Sequence, residues 1–147
     1  MIALKAAIFW CLLFVLAVLN GVARQMVTAE MFGEATALLA HTVFLAALFF
    51  VLARGFTRML GLADFGSRLA LGLCLCVATV LAEFALGRAL GMTWEQLMAD
   101  WNLSEGRLWP LVPLALLFGP LFAGPVAAPA KPAARRAPRK KKASGRK

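Results

Sequence analysis

The sequence predicts an all-α membrane protein: a four-helix transmembrane bundle with a short amphipathic interfacial helix and a disordered basic tail. Of its 147 residues, 62% are hydrophobic, the mean hydropathy is +0.80 and there is no tyrosine. This composition is too apolar for a soluble domain of this size. Apolar runs lie at about residues 6–23, 36–53, 69–90 and 108–127. Each run has the roughly 17 to 25 residues that a transmembrane helix needs.

The net charge of +9 comes from the C-terminal tail. Residues 1–130 carry as many acidic as basic groups, whereas residues 131–147 are basic and contain no acid. Basic residues of short loops stay on the cytoplasmic side of a membrane. The loop after the second span is basic, with Arg54, Arg58 and Arg68 against Asp64, and the other two loops are net acidic. We therefore expect both termini to be cytoplasmic.

The first apolar run has a second interpretation, as a cleaved signal peptide formed by residues 1–23. Lys5, the apolar stretch and "GVA" before Arg24 resemble the parts of such a peptide. The stretch is at the long end of the usual range of roughly 7 to 15 residues. A transmembrane span is therefore favoured, and the C-terminus is cytoplasmic under either interpretation.

The third predicted span contains a carboxylate, Glu83, within the run "VLAEFALGR". At about 100° per residue, one face of this helix collects small and polar residues: Arg68, Gly72, Cys76, Thr79, Glu83 and Gly87. Such a face packs against other helices, so Glu83 is predicted to point into the bundle. Arg88 lies five residues on, which is a poor spacing for an ion pair, and is expected to extend to the headgroups. The partner of Glu83 must then come from another span.

Depth along the helices provides a candidate partner. With a rise of 1.5 Å per residue, Glu83 lies roughly 10 Å and His41 roughly 9 Å below the outer surface. We predict one intramembrane polar cluster in the outer half of the bundle, formed by Asn20, Arg24, Glu34, His41, Glu83 and Arg107. The cluster could hold helices together through polar contacts. It could also handle a proton, an ion or a polar solute, and the first role is the commoner one.

The segment "GMTWEQLMADWNLSEGRLWP" is predicted to form the interfacial helix. Thr93 and Gln96 have the spacing of a capping box. An apolar stripe at helical spacing follows, formed by Trp94, Leu97, Met98 and Trp101. The helix could cap the polar cluster, or it could simply return the chain to the bundle, which is the favoured interpretation. Ser104 is expected to cap the fourth span, and Pro113 and Pro120 are expected to kink it.

Cysteine and histidine usage gives no sign of a metal site, a cofactor or a disulfide framework. Cys11, Cys74 and Cys76 all fall within predicted spans, where we expect them to serve in packing, and the chain has one histidine. There is also no Ser/His/Asp set, HExxH helix or Gly-rich phosphate loop. We therefore expect no cofactor and no enzymatic activity.

The tail, residues 128–147, is rich in Pro and Ala, strongly basic and without apolar periodicity, which predicts disorder. Its cations are expected to bind anionic lipid headgroups: Lys131, Arg135, Arg136, Arg139, Lys140, Lys141, Lys142, Arg146 and Lys147. Nucleic acid is a less favoured partner, because no aromatic or folded reader accompanies the basic run.

Four short stretches resemble an uncharacterised family of small four-span bacterial inner-membrane proteins. These are "LNGVARQ", the Glu-containing entry to the second span, "LAEFALGR", and "GRLWPLV" preceded by a tryptophan, over roughly residues 20–125. The resemblance implies an inner-membrane location and carries no activity. We expect a structural or accessory membrane component, with a membrane-protein partner or a second copy of the chain. The alternative is a small proton- or ion-linked transport component that uses the Glu/His cluster.

Overall fold

The computed structural model describes residues 1–124, which are helical with no strand in that range. The all-α prediction is confirmed for this part of the chain. The predicted disordered tail, with its nine lipid-binding cations, and the last residues of the predicted fourth span lie outside the described residues. The elements in order are α1 (Ile2–Ala23), a π-helical segment (Arg24–Thr28), α2 (Ala29–Phe32), α3 (Glu34–Met59), α4 (Phe65–Ala89), α5 (Trp94–Ala99), a 3-10 turn (Leu103–Glu105) and α6 (Leu111–Leu121).

Three helical stretches are long and apolar enough to cross a membrane: Ile2–Phe32, Glu34–Met59 and Phe65–Ala89. They contain the first three predicted apolar runs almost entirely. Large apolar side chains on their outer surfaces are well exposed, among them Leu12, Phe44 and Leu81, each about 60% exposed. Exposed apolar area of this extent on long helices fits a surface that lipid tails solvate rather than water.

The first loop was predicted too long. Helical structure continues from α1 through the charged residues that follow it, and the break comes at Gly33, whose φ of 83° favours glycine. Charged residues leave the apolar core of a bilayer, but they do not end a helix. For the same reason α3 runs on to Met59, six residues beyond the predicted end of the second span.

The fourth helix is shorter than the predicted span. The eleven residues of α6 extend about 16 Å, roughly half of the hydrocarbon thickness of a bilayer. Ser104 does not cap α6, because its N–H and hydroxyl both donate to Asn102 Oδ1. Pro110 precedes the first helical residue, Pro113 lies in the first turn and Pro120 in the last. Pro113 removes no intrahelical hydrogen bond, because an N–H in the first turn has no intrahelical partner.

The core forms where α6 packs between α3 and α4. A Cβ atom on Gly72 of α4 would overlap the backbone of Leu117, and one on Gly119 would lie 2.8 Å from the Phe50 carbonyl oxygen. These glycines let the helix backbones touch. The buried apolar cluster around them contains Leu13, Leu45, Ala46, Phe49, Ala53, Phe56, Leu71, Leu75, Val112 and Leu116.

The helix α1 joins this core through side chains rather than through close backbone contact. Leu13 is its one fully buried residue. The Phe9 ring stacks on Phe56 with centroids 4.1 Å apart, and Trp10 Nε1 donates a hydrogen bond to Thr79 Oγ1 at 3.1 Å. Both polar sites described next involve this interface.

Candidate functional site: two separate polar sites between the helices

The inward face predicted for α4 is confirmed. Gly72 and Gly87 are buried against neighbouring segments, and Thr79 between them is hydrogen-bonded to Trp10. Residues on the opposite face are exposed, namely Leu73, Val77 and Leu81. Glu83 therefore points into the protein, as its spacing from Gly72 and Thr79 indicates.

The first polar site is centred on His41 of α3. Its Nδ1 lies 2.9 Å from Asn20 Oδ1, and its Nε2 lies 2.9 Å from Thr28 Oγ1. A neutral imidazole offers one donor and one acceptor, so Nδ1–H can donate to Asn20 while Nε2 accepts from the Thr28 hydroxyl. Both ring nitrogens have partners, and the site ties α1 and the π-helical segment to α3.

The π-helical segment explains how Asn20 and Thr28 reach the same ring. Eight residues in a regular α-helix would leave these two side chains about 80° apart. The Ala29 N–H bonds to the Arg24 carbonyl, one residue further back than in an α-helix, so each residue of this segment advances by a smaller angle. The wider turn rotates Thr28 toward the face of Asn20.

The second polar site is a cavity of about 160 Å³ around Glu83. Its walls come from α1, α3, α4 and the segment leading into α6, and consist of Phe14, Ala17, Val18, Phe49, Thr79, Leu86, Trp109 and Val112. Glu83 Oε2 and Trp109 Nε1 are both buried, and neither makes a hydrogen bond of standard geometry among the described residues. The Trp109 side chain is nevertheless close enough to interact with the Glu83 carboxyl group, so an acceptor and a neutral donor face each other in a mostly apolar cavity.

A second carboxylate acts on Glu83 from outside the cavity. Asp100, at the end of α5, is close enough to Glu83 to interact with it electrostatically. Asp100 is in turn paired with Arg107 at 3.4 Å, with both side chains about 40% exposed. Arg107 therefore already has a carboxylate partner.

The six predicted cluster residues do not form one site. His41 and Asn20 line a different cavity, of about 520 Å³, which shares no residue with the Glu83 cavity. His41 is hydrogen-bonded to Asn20 and Thr28 rather than to Glu83, because depth along a helix does not fix which neighbour a side chain faces. Glu34 lines one surface pocket with Arg24 and another with Arg107, so these three charges belong to the rim at the Gly33 end.

Three residues of these sites were not anticipated. Thr28 lies in the stretch that was expected to be a loop, and its position depends on the π-helical segment. Trp109 was given no role from the sequence, and it lines the cavity. Asp100 is seven residues before Arg107, and the 3-10 turn between them makes their ion pair invisible to a helical count.

The α5 segment packs against the C-terminal end of α4, where Leu97 meets Gly87. Its capping box is confirmed, since Thr93 N donates to Gln96 Oε1 at 2.8 Å and Gln96 N to Thr93 Oγ1 at 3.3 Å. Of the predicted stripe, Leu97 is buried against Gly87, whereas Trp94 and Met98 are more than half exposed. Aromatic packing holds the rest, with Phe84 about 6 Å from Trp94 and Trp101, measured between ring centroids.

Arg88 does not pair with Glu83, as its spacing predicts. Its Nη1 donates to the Met92 carbonyl at 2.6 Å, and its guanidinium lies 5.3 Å from the Trp94 ring centroid. The three cysteines are free thiols. We expected all three to pack in the protein interior, and only one of them is partly buried. Cys11 and Cys74 are exposed on the helix surface, and Cys76 is half-buried.

Comparison of the chain with protein-family models, with curated proteins and with solved structures finds no match. What the chain does must therefore be argued from its own sites.

Proposed function

We propose that the chain is a multi-pass protein of the bacterial inner membrane with four crossings and both termini in the cytoplasm. The three long apolar helices supply the first three crossings. The residues from Arg107 to Ala123 supply the fourth, partly without helical structure. In support, Arg107 lines a pocket with Glu34 at the start of α3, while the Ala123 carbonyl accepts a hydrogen bond from Arg58 near its end.

This fourth crossing is physically acceptable although α6 is short. Non-helical backbone is tolerated at membrane depth where protein buries it, and the residues before α6 lie against α3 and α4. The proposal is tested with reporter fusions. Those after Phe56 and after Lys147 should report the cytoplasm, and one near Asn102 should report the external side. A cytoplasmic signal at Asn102 contradicts four crossings.

Within this membrane protein, the Glu83 cavity supports a proton-binding site best, which makes the chain a small proton-linked transport component. The observation that carries the proposal is a buried carboxyl group in a mostly apolar cavity, with no ion-pair partner among the described residues. The donor that faces it, the Trp109 indole, is neutral and does not replace a cation as its partner. Intramembrane carboxyl groups without an ion-pair partner commonly mark paths of protons or ions.

The chemistry of the cavity favours a proton over a metal cation. The oxygen ligands on its walls are the Glu83 carboxyl group and the Thr79 hydroxyl, which already accepts from Trp10. A divalent cation such as Ca²⁺ or Mg²⁺ takes about six or more oxygen ligands. A proton needs a single oxygen, so Glu83 alone can carry it. His41, both of whose ring nitrogens are occupied, serves to hold α1 against α3.

A decisive test follows proton flux in liposomes that contain the purified protein. The parent chain should dissipate an imposed pH gradient. Glu83→Gln should not, because the amide side chain of glutamine does not take up and release protons near neutral pH. Glu34→Gln, which removes an exposed carboxylate at the Gly33 end, is the matched control and should leave the flux unchanged. Absence of flux in the parent protein would overturn the proposal.

A second measurement addresses the carboxyl group directly. A hydrophobic carbodiimide reacts with protonated carboxyl groups in apolar surroundings, and the modified residue is identified by mass spectrometry. Glu83 should be modified and the exposed Glu95 should not. Equal modification of both, or of neither, would argue against a protonated group in a membrane-embedded cavity.

A structural or accessory role in a complex is the second candidate, and the surface of α4 supports it. Gly66, Ala70 and Cys74 follow one another at intervals of four residues and are all exposed. Small residues in this register let a second helix approach closely in a membrane. In a Cys11→Ala, Cys76→Ala background, Cys74 should form a disulfide-linked dimer on mild oxidation if the partner is a second copy. Ala70→Leu should prevent this cross-link, and a cross-link that is insensitive to Ala70→Leu would speak against close packing there.

A further inference from the structure

Two arginines come together at the end of the protein that carries the loop between α3 and α4, and a third lies one turn away on α3. Arg58 of α3 donates from Nε to the Ala123 carbonyl. Arg68 of α4 donates from Nη2 to the Gly124 carbonyl at 2.6 Å and from Nε to the Leu62 carbonyl at 2.9 Å. Since Ala123 and Gly124 are consecutive, the two guanidinium groups lie side by side just beyond the C-terminal end of α6. Cations are favoured there by the helix dipole.

Arg54 adds a third positive charge on the same side. It precedes Arg58 by four residues on α3, so the two side chains share one face of the helix. Arg54 is half-buried, and its Nε is buried with no hydrogen-bond partner among the described residues. A guanidinium that is partly removed from water keeps a strong demand for an acceptor.

The described part of the chain does not supply the balancing negative charge. Its one ion pair, between Arg107 and Asp100, lies at the opposite end. Asp64 is the acid closest in sequence, and it is exposed and accepts a hydrogen bond from Ser67 N as the cap of α4. It interacts with Arg68 only weakly, as the last of the influences on its carboxyl group. Three cations therefore face at most one carboxylate.

Most of the hydrogen-bonding capacity of this group is also unused. Each guanidinium carries five N–H donors, and the carbonyl contacts engage one donor of Arg58 and two of Arg68. Planar guanidinium groups with free donors match the oxygens of a phosphate in paired hydrogen bonds. The three arginines also lie near the α3–α4 loop, where two long apolar helices end. In the proposed membrane arrangement this is the level of the lipid headgroups.

We propose that Arg54, Arg58 and Arg68 form a binding site for the phosphate of an anionic phospholipid headgroup. The carbonyls of Ala123 and Gly124 fix two of the arginines, and the phosphate takes the free donors, including those of Arg54. The three arginines belong neither to the basic tail sequence nor to the lining of the Glu83 cavity, so the site does not depend on proton transport.

The test measures retained lipid on the full-length protein. Protein in micelles with equal amounts of phosphatidylglycerol and phosphatidylcholine is washed in about 1 M salt, where screening within about 3 Å removes lipid bound only by the exposed tail. Lipid mass spectrometry should then find phosphatidylglycerol retained in preference. Arg54→Gln should lower this retention about tenfold, the factor expected for loss of a charged hydrogen-bonding partner. Arg54→Lys should lower it less, because the charge stays but the planar fork is lost.

Arg88→Gln is the matched control, since Arg88 is an exposed arginine at the other end of α4. It should leave retention unchanged. If Arg54→Gln does not fold, the comparison of Arg54→Lys with Arg88→Gln decides the matter. Retention that is the same in the Arg54 variants and the parent overturns the proposal. So does occupation of the site by inorganic phosphate in preference to phosphatidylglycerol when the two are offered at equal concentration, which would assign the site to free phosphate rather than to a headgroup.

Discussion

The two polar sites between the helices differ in how completely their hydrogen bonds are satisfied. At His41, both ring nitrogens have partners at 2.9 Å, drawn from α1 and from the π-helical segment. At Glu83, a carboxyl oxygen and the Trp109 indole N–H are both buried without a hydrogen bond of standard geometry among the described residues. The first arrangement stabilises the association of helices, and the second works against it.

This contrast separates a polar site that packing explains from one that packing does not explain. A satisfied polar contact is accounted for by the packing that it fixes. A buried carboxyl oxygen without a standard hydrogen bond costs stability, and the proposed proton-binding role would account for that cost. Variants that alter one site and not the other test whether the two sites differ in this way.

The largest effect should follow from closing the space between α4 and α6. Gly72→Leu puts a side chain where the Leu117 backbone lies, and should lower the free energy of unfolding by about 3 kcal/mol. Thermal unfolding in detergent measures this. Gly55→Leu is the control, because nothing lies within 4 Å of a Cβ atom there, and it should be neutral or slightly stabilising.

The same variant also tests whether the two sites are independent. His41 is the only histidine of the chain, so its ring signals in an NMR spectrum are assigned without ambiguity. Gly72→Leu should displace α6 and with it the Trp109 wall, while the His41 signals keep their positions. A large change at His41 would mean that both sites respond to the packing of α6.

Removing each polar group should change stability in opposite directions. His41→Leu leaves Asn20 and Thr28 without their partner and should cost about 1 to 2 kcal/mol. Glu83→Leu removes an unpartnered group and should raise stability by about 1 kcal/mol. Unfolding in one detergent gives both values, with Glu34→Leu as the exposed-carboxylate control within about 0.5 kcal/mol of the parent. A destabilised Glu83→Leu would show that the contact with the Trp109 indole stabilises the fold by more than burial of the carboxyl group costs.

Double-mutant cycles should separate the sites further. His41→Leu and Asn20→Leu remove two halves of one hydrogen bond, so their effects should be less than additive by about 0.5 to 1 kcal/mol. His41→Leu with Glu83→Leu should be additive within about 0.5 kcal/mol, because the two line different cavities. Strong coupling of His41 to Glu83 would restore the single cluster that their common depth suggested.

The smallest effect is a pH dependence of stability that comes from Asp64, which belongs to neither polar site. The hydrogen bond from Ser67 N, 2.7 Å from Asp64 Oδ2, holds the pKa of this exposed carboxyl group below its ordinary value. Its contribution to stability is therefore present above the ordinary pKa of about 4 and is lost as the pH falls through the lower folded value. Asp64→Asn keeps a capping oxygen and should remove this part of the acid dependence in pH-dependent unfolding. An unchanged acid limb would assign the dependence to another group.

Counting along the sequence identifies the three long apolar helices and the face of α4 that points into the protein. Both follow from local counts, the length of an apolar run and the recurrence of Gly72, Thr79, Glu83 and Gly87 on one face. The capping box of α5 was equally readable, because its two hydrogen bonds join residues three apart. The failure of Arg88 to reach Glu83 was readable from the same kind of count.

Tertiary structure alone decided what these faces meet. The partners of His41 depend on a π-helical segment that changes the angle between Asn20 and Thr28, and no apolar pattern marks that segment. The length of α6 depends on its close packing between α3 and α4, which Gly72 and Gly119 permit. This packing puts protein instead of lipid around the non-helical residues that precede α6. Trp109, one of these residues, lines the Glu83 cavity. Periodicity gives the direction of a side chain about its own helix, but contacts between helices depend on relative rotation and spacing, which the packing of all the helices sets together.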